Sequence, residues 1–98
     1  MIATGCVRSV PAEFDESVDE IEKFAFEGCE HLVQVDTHND IRKVGKRAFI
    51  YCTSLRRINL KSAVEIEEEA FSGCYNLNLE SVEFGDKLET IGRAAFWD

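Results

Sequence analysis

A repeat solenoid, one small unit stacked on the next, is the fold class that this 98-residue chain predicts. Three observations predict it. Four alanine-phenylalanine pairs, Ala25-Phe26, Ala48-Phe49, Ala70-Phe71 and Ala95-Phe96, each begin four residues after an aliphatic residue, namely Ile21, Val44, Ile66 and Ile91. Cys6, Cys29, Cys52 and Cys74 keep the same step, 23, 23 and 22 residues apart, and three of them follow a glycine. A leucine and spaced aliphatics then close each unit. A period near 23 residues leaves room for one strand and one compact turn, and a unit that small buries its apolar side only against its neighbours.

The first full unit offers Ile21, Ala25, Phe26, Cys29, Leu32 and Val35, with Ile41 leading into the next. The central unit offers Val44, Ala48, Phe49, Cys52, Leu55, Ile58 and Leu60, followed by Val64. The third offers Ile66, Ala70, Phe71, Cys74, Leu79, Val82 and Phe84, followed by Leu88, and extra residues near Asn76-Leu77-Asn78 lengthen its step to 25. An insertion of that size belongs in a loop. Before Ile21, Gly5-Cys6 is in phase but Ser9 stands where a leucine is due, so this stretch reads as a decayed unit or as a cap.

Leu55 to Leu60 ends in the alternation of a half-buried strand, with Ile58 and Leu60 inward. The Ala-Phe segments, such as Glu68 to Ser72, are too short for an isolated helix and suit a single turn packed by its phenylalanine. Phe26, Phe49, Phe71 and Phe96 recur at the repeat period and therefore read as a core spine.

The shared line, I/V-G/E-x-x-A-F-x-x-C-x-x-L-x-x-I-x-L, is plainest from Val44 to Leu60 and resembles the BspA-type leucine-rich repeat, found in bacterial surface proteins and many protist proteins. The resemblance covers Ile21 to the end. It implies an α/β repeat solenoid, a right-handed leucine-rich-repeat stack with a mostly parallel sheet and short helical or irregular turns. It also implies a non-catalytic protein-protein interaction or adhesion module with a protein partner, displayed at the cell surface. The alternative is a structural, self-assembling unit that stacks end to end.

Length and composition fit one domain over residues 1–98, with about three full repeats from Ile21 and partial units at both ends. One proline and six glycines offer no linker. The net charge of −8 argues against nucleic acid, which needs a clustered positive face. The acidic runs Glu13 to Glu22 and Glu65 to Glu69 read as solvated faces that keep stacks apart; calcium, the other reading, needs a tight glycine-turned loop that neither run contains. No stretch approaches the 18 or so apolar residues of a membrane span, and the N-terminus does not read as a signal peptide, so an intracellular chain and a fragment of a longer array both remain open.

The cysteines stand a full repeat apart, unlike zinc-ligand pairs two to four residues apart, so no metal or cofactor is expected. Stacked at the strand spacing of about 4.8 Å, Cys29, Cys52 and Cys74 should form a ladder of buried, reduced thiols. A disulfide between neighbours is the alternative, since bridged α-carbons lie about 4.4–6.8 Å apart. Cys29 with His31 and Cys52 with His38 are the available thiol-imidazole pairs, and neither comes with an orienting group or oxyanion motif, so catalysis is not expected.

The outward strand positions carry the candidate partner-binding face: Gln34, Asp36 and His38 in one unit, Arg57, Asn59 and Lys61 in the next, and Ser81 and Glu83, with Gly85, in the third. These side chains are either ordinary solvated groups or a binding row, and Arg57, beside Arg56 in an acidic chain, is the first candidate for a hot spot. Phe96 and Trp97 have no following repeat in this sequence to cover them. They either fold over Leu79, Val82 and Phe84 as a cap, leave an edge for a homodimer, or belong to a piece of a longer array.

Overall fold

A computed structural model describes residues 12–13, 19–36 and 41–97. Two parallel four-stranded sheets wind around one core. The first sheet holds β1 (Ala12–Glu13), β3 (Gln34–Asp36), β5 (Arg57–Leu60) and β7 (Val82–Phe84); the second holds β2 (Glu20–Ile21), β4 (Lys43–Val44), β6 (Glu65–Ile66) and β8 (Thr90–Ile91). Every pairing is between equivalent strands of successive units, as Val35 with Ile58 and Ile58 with Val82. The first sheet is the one that alternation marks out. The second grows from the aliphatic that leads each unit, in strands of two residues too short to show any period.

The Ala-Phe segment is not a helical turn. Its N–H groups alternate between two destinations: those of Ala25, Glu27 and Cys29 donate back to the carbonyls of Glu22, Phe24 and Phe26, while those of Phe24, Phe26 and Gly28 donate to Lys46, Ala48 and Ile50 of the next unit. This alternation requires left-handed backbone at fixed places. Phe24, Arg47, Glu69 and Ala94, each three residues after the leading aliphatic, have φ between 54° and 61°. Gly28, Tyr51 and Gly73, four further on, have φ of 68°, 60° and 77°. The glycine before cysteine is thus explained, since only glycine adopts this conformation without a steric cost. Among the described residues no α-helix forms; the helical component is the 3-10 turn Leu79–Ser81.

The core follows the repeat. Ile21, Val44 and Ile66 are buried behind the second sheet, Val35, Ile58 and Val82 behind the first, and Phe26, Phe49 and Phe71 in the turn. The rings of Phe26, Phe49, Phe71 and Phe96 stack at 5.0, 5.2 and 5.0 Å, nearly parallel. Each such contact adds about 0.5–1.5 kcal/mol to the burial of its area.

Three expectations change. The leucine of the third unit is Leu77, not Leu79: its N–H donates to the Cys74 carbonyl at 3.1 Å, as Leu55 does to Cys52 and Leu32 to Cys29. The insertion therefore follows Leu77. The ladder of reduced thiols loses a member, because Cys29 is disulfide-bonded while Cys52 and Cys74 are free; Cys6, the remaining cysteine, lies outside the described residues. The aromatic end divides. Phe96 packs on Phe71 and meets Phe84 edge-on at 6.1 Å, whereas Trp97 stays exposed.

Candidate functional site

Parallel register turns the period-two alternation of the first sheet into rows across the units. Gln34 pairs with Arg57, and Asn59 pairs with Glu83. Since Ile58 pairs with Val82, Ser81 stands beside Arg57, and since Val35 pairs with Ile58, Asp36 stands in the row of Asn59. Their inward neighbours Val35, Ile58 and Leu60 are buried against the core, which holds the outward positions in place. The third row is incomplete. His38 lies outside the described residues, and at Gly85 an added Cβ would come within 1.8 Å of the Lys61 carbonyl oxygen, so no side chain stands beside Lys61 there.

The rows enclose a shallow groove of about 310 Å³. Gln34 of β3, Arg57, Ile58 and Asn59 of β5, Glu80, Ser81 and Glu83 at β7, and Val35 line it. Glu80 was not among the residues that alternation selects. It comes with the insertion: Val82 follows Leu77 by five positions where Ile58 follows Leu55 by three, and the added length forms the 3-10 turn, begun by Asn78 Oδ1 accepting from the Glu80 N–H at 2.9 Å. The longer step between Ile66 and Ile91 was the signal for it.

Charge in the groove is unevenly satisfied. Lys61 Nζ lies 3.4 Å from Glu83 Oε2, both well exposed. Arg57 is exposed and, among the described residues, enters no ion pair. A guanidinium held there offers a planar donor fork suited to a carboxylate.

Two further ion pairs form among the described residues. On the second sheet Lys43 Nζ lies 3.5 Å from Glu67 Oε2, and its pKa is raised first by Glu67 and then by Glu20. On the turn Arg47 Nε donates to Glu69 Oε1 at 2.8 Å, which raises the arginine's pKa, and the guanidinium lies over the Phe24 ring at 6.0 Å.

The free thiols are structural. Cys52 Sγ donates to the Phe26 carbonyl at 3.0 Å and Cys74 Sγ to that of Phe49 at 3.1 Å, both buried. The Cys52 thiol is pushed far up, first by the neighbouring Cys74 thiol and then by burial. A thiol so held does not supply the thiolate that nucleophilic or metal chemistry uses.

Parallel strands paired unit to unit, a stacked phenylalanine spine and one open sheet face define a solenoid of the leucine-rich-repeat class. The family model for the BspA type leucine rich repeat region (6 copies) matches residues 4–98, and the chain belongs to that family. A crystal structure of a T. pallidum leucine rich repeat protein, TpLRR, is similar at a TM-score of 0.82 and 32% identity over 94% of this chain. The chain spans 44% of that protein's length. A search of curated proteins gives no match.

Proposed function

We propose that this repeat module is non-catalytic and binds a protein partner across the outward face of the first sheet, with Arg57 meeting a carboxylate of that partner. The observation that carries the reading is the exposed Arg57 guanidinium in the lining of the groove, which enters no ion pair among the described residues while Lys61 nearby lies against Glu83. Family membership supports an interaction role, since solenoids present extended faces to partners. The buried Cys52 thiol, its pKa raised, supports the absence of catalysis. Adhesion at a cell surface is the setting we favour, and the disulfide at Cys29 supports it because such bonds persist in oxidising compartments.

A photo-crosslinking residue placed at Ser81, in the groove, and at Glu65, on the second sheet, tests the reading in the cells that make the protein. Adducts formed from Ser81 and lost on Arg57→Glu support it. Adducts formed equally from Glu65, or from Ser81 regardless of Arg57, count against it.

A further inference from the structure

The largest departure from the common repeat lies at the groove. Val82 follows Leu77 by five positions where Ile58 follows Leu55 and Val35 follows Leu32 by three, and the added residues close as the 3-10 turn Leu79–Ser81. Two hydrogen bonds fix this turn: Asn78 Oδ1 accepts from the Glu80 N–H at 2.9 Å, and the Asn78 carbonyl accepts from the Ser81 N–H at 2.7 Å. Glu80 is thereby held in the lining of the groove, exposed and, among the described residues, in no ion pair. Arg57 lies in the same lining and is equally unpaired there, so two opposite charges share one groove without meeting. Insertions that interrupt a repeat often fall on the binding face.

The charges decide between partners. The lining carries one cation, Arg57, and two anions, Glu80 and Glu83, and Lys61 already lies against Glu83. A segment with only acidic side chains would bring its carboxylate to Arg57 beside Glu80, and one with only basic side chains would meet Arg57 with like charge; each juxtaposition costs affinity. A dipolar segment avoids both. We infer that the partner presents an extended segment with an acidic residue for Arg57 and, two positions along, a lysine or arginine for Glu80, which rests on the reading of this groove as the binding face. The spacing fits. Ser81 stands beside Arg57, one strand spacing of about 4.8 Å away, and Glu80 is its chain neighbour at about 3.8 Å, so the α-carbons of Arg57 and Glu80 lie within about 9 Å. Residues i and i+2 of an extended chain share a face about 6.7 Å apart. Glu80 is then the residue that sets specificity, and the turn that holds it reduces the entropy lost in ordering it on binding.

Panning a phage-displayed random heptapeptide library on the intact chain tests it. The expected selection is enriched in Asp or Glu with Lys or Arg two positions along. Glu80→Lys should weaken a selected peptide by about tenfold or more, as like charge replaces opposite. Glu80→Gln, which keeps the backbone N–H that Asn78 holds, should weaken it less and in the same direction. Glu65→Lys, on the second sheet, makes the same change in net charge and should leave affinity unchanged; an equal loss there assigns the effect to net charge and overturns the inference. Selected peptides that are acidic without a basic residue, lost on Arg57→Glu and indifferent to Glu80→Lys, overturn it and leave the reading of the groove standing. Enrichment in basic residues alone also overturns it. Peptides indifferent to both Arg57→Glu and Glu80→Lys, or no enrichment over the starting library, overturn the inference and the groove together.

Discussion

Gly85 lies against Lys61 so closely that a Cβ on the glycine would stand 1.8 Å from the lysine's carbonyl oxygen. The contact is backbone to backbone, between the ends of β5 and β7, so no rotamer change relieves it. Gly85→Ala must therefore part the two strands at the end where Leu60 pairs with Phe84. We expect a loss of about 3 kcal/mol, at the upper end of what overpacking costs. Urea unfolding measures it, and a midpoint equal to the parent's would show that the strands separate there without penalty.

Phe49 has a stacked ring on both sides and Phe96 on one. Phe49→Ala should cost about 3–5 kcal/mol, the range for emptying an aromatic core site. A domain of this size holds about 5–15 kcal/mol in all, so the variant should be barely folded. Phe96→Ala, made in this 98-residue chain, removes a ring with one stacked neighbour among the described residues and should cost clearly less. Equal losses in thermal unfolding would show that stacking on both faces is not what sets the cost at Phe49.

How much of this was legible in the sequence depended on what repeats. Phe26, Phe49 and Phe71 recur in phase, and a residue that stacks on its own equivalents must keep its period, so the spine and the first-sheet rows could be read directly. The second sheet could not be read, because Lys43–Val44 and its equivalents are too short to alternate. Leu77 stands three residues after Cys74, as Leu32 and Leu55 stand after Cys29 and Cys52, so the shared line already marked it over Leu79, and its hydrogen bond to the Cys74 carbonyl bears that out. In the groove, Arg57 and Glu83 followed from strand alternation, whereas Glu80 belongs to an insertion that no neighbouring unit repeats.

The thiols give a count that distinguishes the ladder from a mixed state. Cys52 and Cys74 are free and buried, and Cys29 is disulfide-bonded. A thiol reagent added to the native protein without reductant should react slowly with Cys52 and Cys74. In denaturant it should label both quickly and leave Cys29 unlabelled until reductant is added. Mass spectrometry of the labelled peptides reads each position, and label on Cys29 before reduction would remove the disulfide.

Alkali should weaken the fold through Cys52. Its folded pKa is raised by the neighbouring Cys74 thiol and by burial, so the folded chain keeps the proton at pH values where the unfolded thiol, with a pKa of about 8.5, loses it. Above that pH the unfolded state binds fewer protons than the native state, so stability falls as pH rises, by up to about 1.4 kcal/mol per pH unit for one thiol. Below it this contribution is fully present. Melting temperatures from pH 7 to 10 should decline at the alkaline end, and Cys52→Ala should flatten the decline; an identical slope in the variant would assign the effect elsewhere.

Arg57→Glu is the substitution that separates surface from scaffold. The side chain is exposed, holds no carboxylate among the described residues and lies beside the buried Ile58 that anchors the strand. Stability should stay within about 0.5 kcal/mol of the parent, as for surface changes away from packed or paired groups. Partner binding should weaken by a factor of about ten or more, because the change both removes the guanidinium fork and sets a like charge against the partner's carboxylate. Lys61→Glu, made beside the same groove, should do less, since Lys61 already sits on Glu83 and exposed pairs of that kind contribute little. Calorimetric titration of both variants with the crosslinked partner reads the order. Equal losses would mean that net charge governs the interaction, and no loss in either would move the binding surface off the first sheet.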